Sequence, residues 1–288
     1  MAVRPTGPGR RGVHFFAAQH DTDNSDRFIT LPVFPQISQR PWKQENPSAY
    51  FFDFGMWMAC KESRAVVTSR LSRRYNNGGD TRFRGLNVKL RHGQKGITFG
   101  IHHEDLICFQ ISDSSNIRPS YDFDFDAPSW RAMPQHIAFE YDVSWSFDSD
   151  DQYALCGMIH EKGPRGVFLS ALDEVIRGDL PCHLYLIQYG AKVKPGTSTA
   201  MDHFYGDGLH NFYGDGLHLA SAHEEDVEIE CPSGAMNAWE FMNHVDDMGE
   251  WYWKGAVDDR GDCRCREYRC CCEVRANWHV TVLICEDV

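Results

Sequence analysis

The chain has 288 residues and a mass of 33.0 kDa, which suits one large domain or two small ones. Hydrophobic residues at 42% and aromatics at 13% exclude a disordered or collagenous chain, and a net charge of −12 argues against nucleic-acid binding through bulk charge. Neither a signal-peptide core nor an apolar run of about 18 residues is present, so the expectation is no secretion by signal peptide and no membrane span.

Residues 1–12 are rich in Pro, Gly and Arg, carry Arg4, Arg10 and Arg11, and predict a flexible arm ahead of a single domain over 13–288. Val13, Phe15 and Ala17 alternate as in a strand, and a second apolar run over 28–34 is broken by Pro32. Over 49–75, Tyr50, Phe54, Trp57, Met58, Ala65, Val66 and Leu71 recur at helical spacing and predict a long helix. Its arginines, Arg64, Arg70, Arg73 and Arg74, give a basic face, for which a solvated surface is preferred to a phosphate site. The helix must end at Asn76-Asn77-Gly78-Gly79, where left-handed conformers are cheap.

Short apolar runs over 86–90, 97–101 and 106–111 then predict strands. Strict alternation over 136–147, with Ile137, Phe139, Tyr141, Val143, Trp145 and Phe147 on one face, predicts a long strand with that face buried, and 153–160, 182–193, 227–231 and 278–285 extend the series. Helices are expected over 167–177, stopped by Gly178, and over 234–253, with Ser233 as its cap. With many short strands and no strand–helix–strand alternation, the expected fold is mainly β. It is an antiparallel β-sandwich of jelly-roll type, decorated by the helix near 49–75 and the one near 234–253.

Phe-Tyr-Gly-Asp-Gly-Leu-His occurs twice, from Phe204 to His210 and from Phe212 to His218. Two copies are too few for a solenoid, so a duplication within a loop is the expectation. The surrounding His and Asp residues make His203, Asp207, His210 and His218 candidate ligands for zinc or a similar ion. Gly-Asp-Gly turns supply the same composition without a metal, and the structural reading is preferred. Cys263, Cys265, Cys270, Cys271 and Cys272 lack paired Cys-x-x-Cys spacing. Consecutive cysteines on a strand point to alternate faces, so disulfide chemistry suits them better than zinc. The chain has 11 cysteines, an odd number that excludes complete pairing within one molecule. Asp122, Asp124 and Asp126 lack the glycine and distal glutamate of a calcium loop. No Gly-x-Ser-x-Gly elbow, His-Glu-x-x-His pair or phosphate loop is present. No catalytic residue is assigned and no enzymatic activity is expected.

Tyr75-Asn76-Asn77-Gly78-Gly79-Asp80-Thr81-Arg82-Phe83 resembles a stretch of the cypovirus polyhedrins, in which Tyr75, Asn77, Gly78, Gly79, Asp80 and Arg82 are the matching positions. A second similarity covers 233–253, through Met236, Asn237, Trp239, Phe241 and Trp251-Tyr252-Trp253. The resemblance implies a structural protein of the infected cell's cytoplasm. Its homotrimers pack into crystals, the occlusion bodies or polyhedra, which embed virus particles and dissolve in alkali. It further implies a sandwich core, a clamping helix corresponding to 49–75, and bound nucleotides such as nucleoside triphosphates, with no cofactor required. No membrane and no specific nucleic acid are expected as partners. An acidic chain suits alkaline release, because phenols ionise near pH 10 while lysines discharge. The alternative is a metal-binding β-sandwich enzyme or binding module using the His/Asp-rich segment 202–223.

Overall fold

A computed structural model describes residues 11–20, 27–30, 60–62, 65–66, 83–88, 97–102, 104–111, 135–147, 154–197, 202–205, 218–229, 231–232, 234–254 and 275–286. The strands are β1 (Arg11–His20), β2 (Arg27–Thr30), β3 (Phe83–Val88), β4 (Ile97–His102), β5 (Leu106–Ile111), β6 (His136–Glu140), β7 (His183–Gln188), β8 (Ala191–Val193), β9 (His203–Tyr205), β10 (His218–Ser221), β11 (Val227–Ile229) and β12 (Val280–Glu286). The helices are α1 (Ala154–Met158), α2 (Pro164–Arg177) and α3 (Ala238–Lys254).

Among the described residues, seven strands close into a mixed barrel in the order β1-β5-β6-β7-β12-β10-β9, with β9 returning to β1. Parallel pairing runs from β1 through β5, β6 and β7 to β12. β10 is antiparallel to both β12 and β9, and β9 is parallel to β1 through Arg11↔Phe204 and Gly12↔Tyr205. β2 adds antiparallel to the other half of β1. β3–β4 and β8–β11 form separate two-stranded ladders.

This barrel overturns the antiparallel sandwich. The physical reason lies in burial on both strand faces, which is what parallel strands under helices require. Val13, Phe15, Leu106, Tyr185, Phe204 and Leu283 belong to the cluster inside the barrel. Their neighbours Phe16, Ile107, Phe139, Leu184 and Val282 join an outer cluster with residues of α2 and α3. Two elements differ from the alternation pattern. The predicted strand over 136–147 ends at Glu140, and Asp142 then caps a 3-10 turn (Val143–Trp145) through its side chain. The predicted strand over 153–160 is α1. The connection from β6 through α1 and α2 to β7 therefore joins parallel strands.

Helix ends follow local chemistry. α2 begins with Pro164 in its first turn and stops at Gly178, whose φ of 81° places it in the left-handed region where glycine is favoured. Asn237 caps α3: its Oδ1 accepts from the Glu240 amide at 2.8 Å, while Glu240 Oε2 accepts from the Asn237 amide at 2.9 Å. This reciprocal capping box starts the helix four residues past the expected Ser233. Replacing Asn237 by alanine should cost about 1 kcal/mol, with aspartate restoring most of it; thermal unfolding of the two variants checks this. Near the other end, Gly249 lies against the Trp253 ring so closely that a Cβ would collide with it.

Several expectations lie outside the described residues: the arm up to residue 10, the turn of Tyr75, Asn77, Gly78, Gly79, Asp80 and Arg82, and Cys263, Cys265, Cys270, Cys271 and Cys272. Of the helix over 49–75, Lys61, Glu62, Ala65 and Val66 are helical and exposed. Arg11 and Gly12 belong to β1. Cys156, Cys182 and Cys231 are free thiols.

Candidate functional site

Parallel strands bring their first residues to one end of a barrel. Here β1 begins with Arg11, β6 with His136 and β7 with His183, while Thr281 lies one residue into β12 and Asp202 immediately precedes β9. Closure through β1–β9 delivers Arg11 to Asp202, with Nη1 at 2.8 Å from Oδ1, and holds the guanidinium 5.1 Å from the centre of the Phe204 ring.

The buried Tyr185 hydroxyl donates to Asp202 Oδ2 at 3.2 Å. Its single proton being spent there, the hydroxyl can only accept from His136 Nδ1, 3.1 Å away. This fixes the proton of neutral His136 on Nδ1 and leaves Nε2 as a lone-pair acceptor. His183 Nε2 bonds the Thr281 hydroxyl at 2.7 Å. Aromatic edges pack the cluster, Tyr185 lying 4.8 Å from His183 and 5.4 Å from Phe204 between ring centres.

The electrostatics keep the rings neutral. Burial, helped by the positive charge of Arg11, lowers the His136 pKa to about 4. Burial also lowers that of His183. Burial, then the charge of Asp202 and the bond to it, raises the Tyr185 pKa. Tyr141, whose hydroxyl donates to the Met236 carbonyl at 2.8 Å, is raised chiefly by burial as well.

These shifts define a stability window. The two histidines hold their protons less tightly folded than unfolded, so stability is lost as pH falls below about 6.5. Tyr185 and Tyr141 hold theirs more tightly, so stability is lost as pH rises past about 10. Urea midpoints measured across pH should show a plateau between those limits. In Tyr185→Phe the alkaline slope should be shallower by up to about 1.4 kcal/mol per pH unit.

The Arg11–Asp202–Tyr185–His136 chain lies at the barrel end where β1, β6 and β7 begin. It can seal the barrel and hold β1, β6, β7 and β9 in register. At the other end Glu140 accepts from Gln110 Nε2 at 3.0 Å and from the Tyr189 hydroxyl at 2.8 Å.

Of the residues singled out in the sequence, two come together: His203 Nδ1 lies 3.1 Å from His218 Nε2. Asp207 and His210 lie outside the described residues. Asp202, next to His203, is committed to Arg11 and Tyr185. Sequence reasoning missed His136, His183 and Tyr185. The available signal was a polar residue opening an apolar run, in His136-Ile137 and His183-Leu184, but only closure shows that the two openings share one barrel end. Cys182 is also set aside as a reactive thiol, because burial pushes its pKa up to about 12. Compared with known proteins, the chain matches no family model, no curated relative and no solved structure.

Proposed function

We propose that the chain is a structural protein that assembles into occlusion-body crystals in the cytoplasm of an infected cell and holds virus particles within them. One observation carries the reading: the polyhedrin-like stretch containing Tyr75, Asn77, Gly78, Gly79, Asp80 and Arg82 is followed, in the same order, by the polyhedrin-like segment over 233–253. The closed barrel is not the sandwich that the resemblance implies, so the proposal stands on these two segments and not on architecture. In the second, Asn237 caps α3, Phe241 is fully buried against Trp145 and Phe168, and Trp253 donates from Nε1 to Asp173 Oδ1 at 3.2 Å. Those are folding roles, so the assembly contacts must come from other surfaces. Trp278, 60% exposed, is one large apolar side chain placed to meet a neighbour.

The homotrimer and the bound nucleoside triphosphates are parts of the same proposal. Expression of this chain alone in insect cells tests it. The expected result is micron-scale intracellular particles that give sharp powder diffraction and dissolve in alkali. Soluble protein without particles at high expression overturns it.

A further inference from the structure

We propose that His203 and His218 form a two-imidazole site for a borderline divalent transition-metal ion, of the zinc, copper or nickel class, on the outer face of the β9–β10 pair. The site is independent of the assembly reading.

Its geometry follows from register. In the antiparallel pair Ala220 stands opposite His203, and His218 opposite Tyr205, so the two histidines are diagonal neighbours. Phe204 and Leu219 point into the barrel, and alternation sends His203 and His218 to the other face. Diagonal positions are within reach of long side chains. Both rings are half-buried, which limits the conformations each can take. They lie 5.1 Å apart between centres, with planes only 21° from parallel, and bring His203 Nδ1 to 3.1 Å from His218 Nε2.

Two ring nitrogens this close share one proton, so one of them already presents a bare lone pair. A change of tautomer at the other, moving its proton to the far side of the ring, leaves both lone pairs directed into the gap. A cation at the usual metal–nitrogen distance of about 2.0–2.1 Å from each would close an N–metal–N angle of about 100°, between octahedral and tetrahedral values. Imidazole nitrogen selects zinc, copper and nickel over magnesium or calcium, which take oxygen. Asp202 is engaged by Arg11 and Tyr185, one bond to each oxygen, and is not part of the two-imidazole site. Among the described residues no group of three or more ligating side chains is found. Two imidazoles by themselves should give an affinity well below that of a closed structural zinc site.

The cysteines compete for metal, so the test must be read at the histidines themselves. Zinc is titrated into the full chain, and the imidazole nitrogens are followed by long-range 1H–15N correlation in wild type, His203→Ala, His218→Ala and the control His223→Ala. The expected result is that His203 Nδ1 and His218 Nε2 shift together. In each single variant the surviving ring should need about tenfold more zinc or beyond, while His223→Ala matches wild type. Near-UV circular dichroism verifies that each variant is folded, and the two reciprocal variants guard against one of them failing. Unshifted rings at millimolar zinc overturn the proposal. So does an unchanged zinc requirement at the surviving ring, which would mark an ordinary exposed imidazole, with the 3.1 Å contact serving only as a hydrogen bond.

Discussion

Phe168→Ala should lower the free energy of unfolding by about 3–5 kcal/mol. Phe168 is fully buried on α2, the helix that covers the outer face of the barrel. Its ring meets Phe139 of β6 edge-on at 5.6 Å, Trp145 at 5.7 Å and Phe241 of α3 at 6.2 Å. It thus joins the strand, the turn that ends it and both long helices, so truncation opens a cavity that no single neighbour can fill. Folded domains are stable by only about 5–15 kcal/mol, and the midpoint of thermal unfolding should fall by on the order of 10 °C. Phe147→Ala is the contrast. That ring packs on Phe241 at 5.8 Å but is only partly buried, and its loss should cost less than half as much. Equal effects in calorimetry would show that α2 does not pack on the barrel through Phe168.

A comparable loss, about 3–5 kcal/mol, is expected for Asp105→Ala. Asp105 sits at the entry to β5, 1% exposed, and ties it to β1. Its Oδ1 accepts from the Gly12 amide at 2.7 Å and its Oδ2 bonds His14 Nε2 at 3.0 Å. Removing the carboxylate withdraws the acceptor from a backbone donor and a buried imidazole at once, and a desolvated polar group costs about 1–3 kcal/mol when its partner is lost. Gly12 also pairs with Tyr205 in the β1–β9 closure, so the damage should spread to that seam. Urea unfolding with hydrogen exchange at the β1 amides measures both effects. Asp105→Asn keeps one acceptor oxygen and should recover part of the stability, while an unaffected Asp105→Ala would contradict the buried contact.

Helices were legible where a stop signal and an apolar stripe coincide. The pattern over 167–177 with Gly178 after it corresponds to α2, which also takes in Pro164, Arg165 and Gly166. The start of α3 was misplaced because Ser233 and Asn237 are both competent caps, and only the latter has Glu240 three residues on to complete the box. Strand positions were largely readable from apolar runs, but their pairing was not. Alternation through Tyr141, Val143 and Trp145 imitates a strand, yet Asp142 turns the chain and sends Trp145 to pack against Tyr141, Phe168 and Phe241. With α1 also resembling a strand, the parallel connection from β6 to β7 was hidden and an antiparallel sandwich followed. The contact between His203 and His218 was foreshadowed by residue type alone. The cluster of Arg11, His136, Tyr185 and Asp202 was not, because it depends on a closure between chain positions nearly two hundred residues apart.

That closure is the step on which the barrel and its polar end both rest, and backbone nuclear Overhauser contacts between Arg11–Gly12 and Phe204–Tyr205 test it most directly. The account predicts cross-strand contacts in parallel register, Arg11 opposite Phe204 and Gly12 opposite Tyr205. Contacts from β1 to β5 without any from β1 to β9 would mean an open sheet, with Arg11 far from Asp202, and would contradict it.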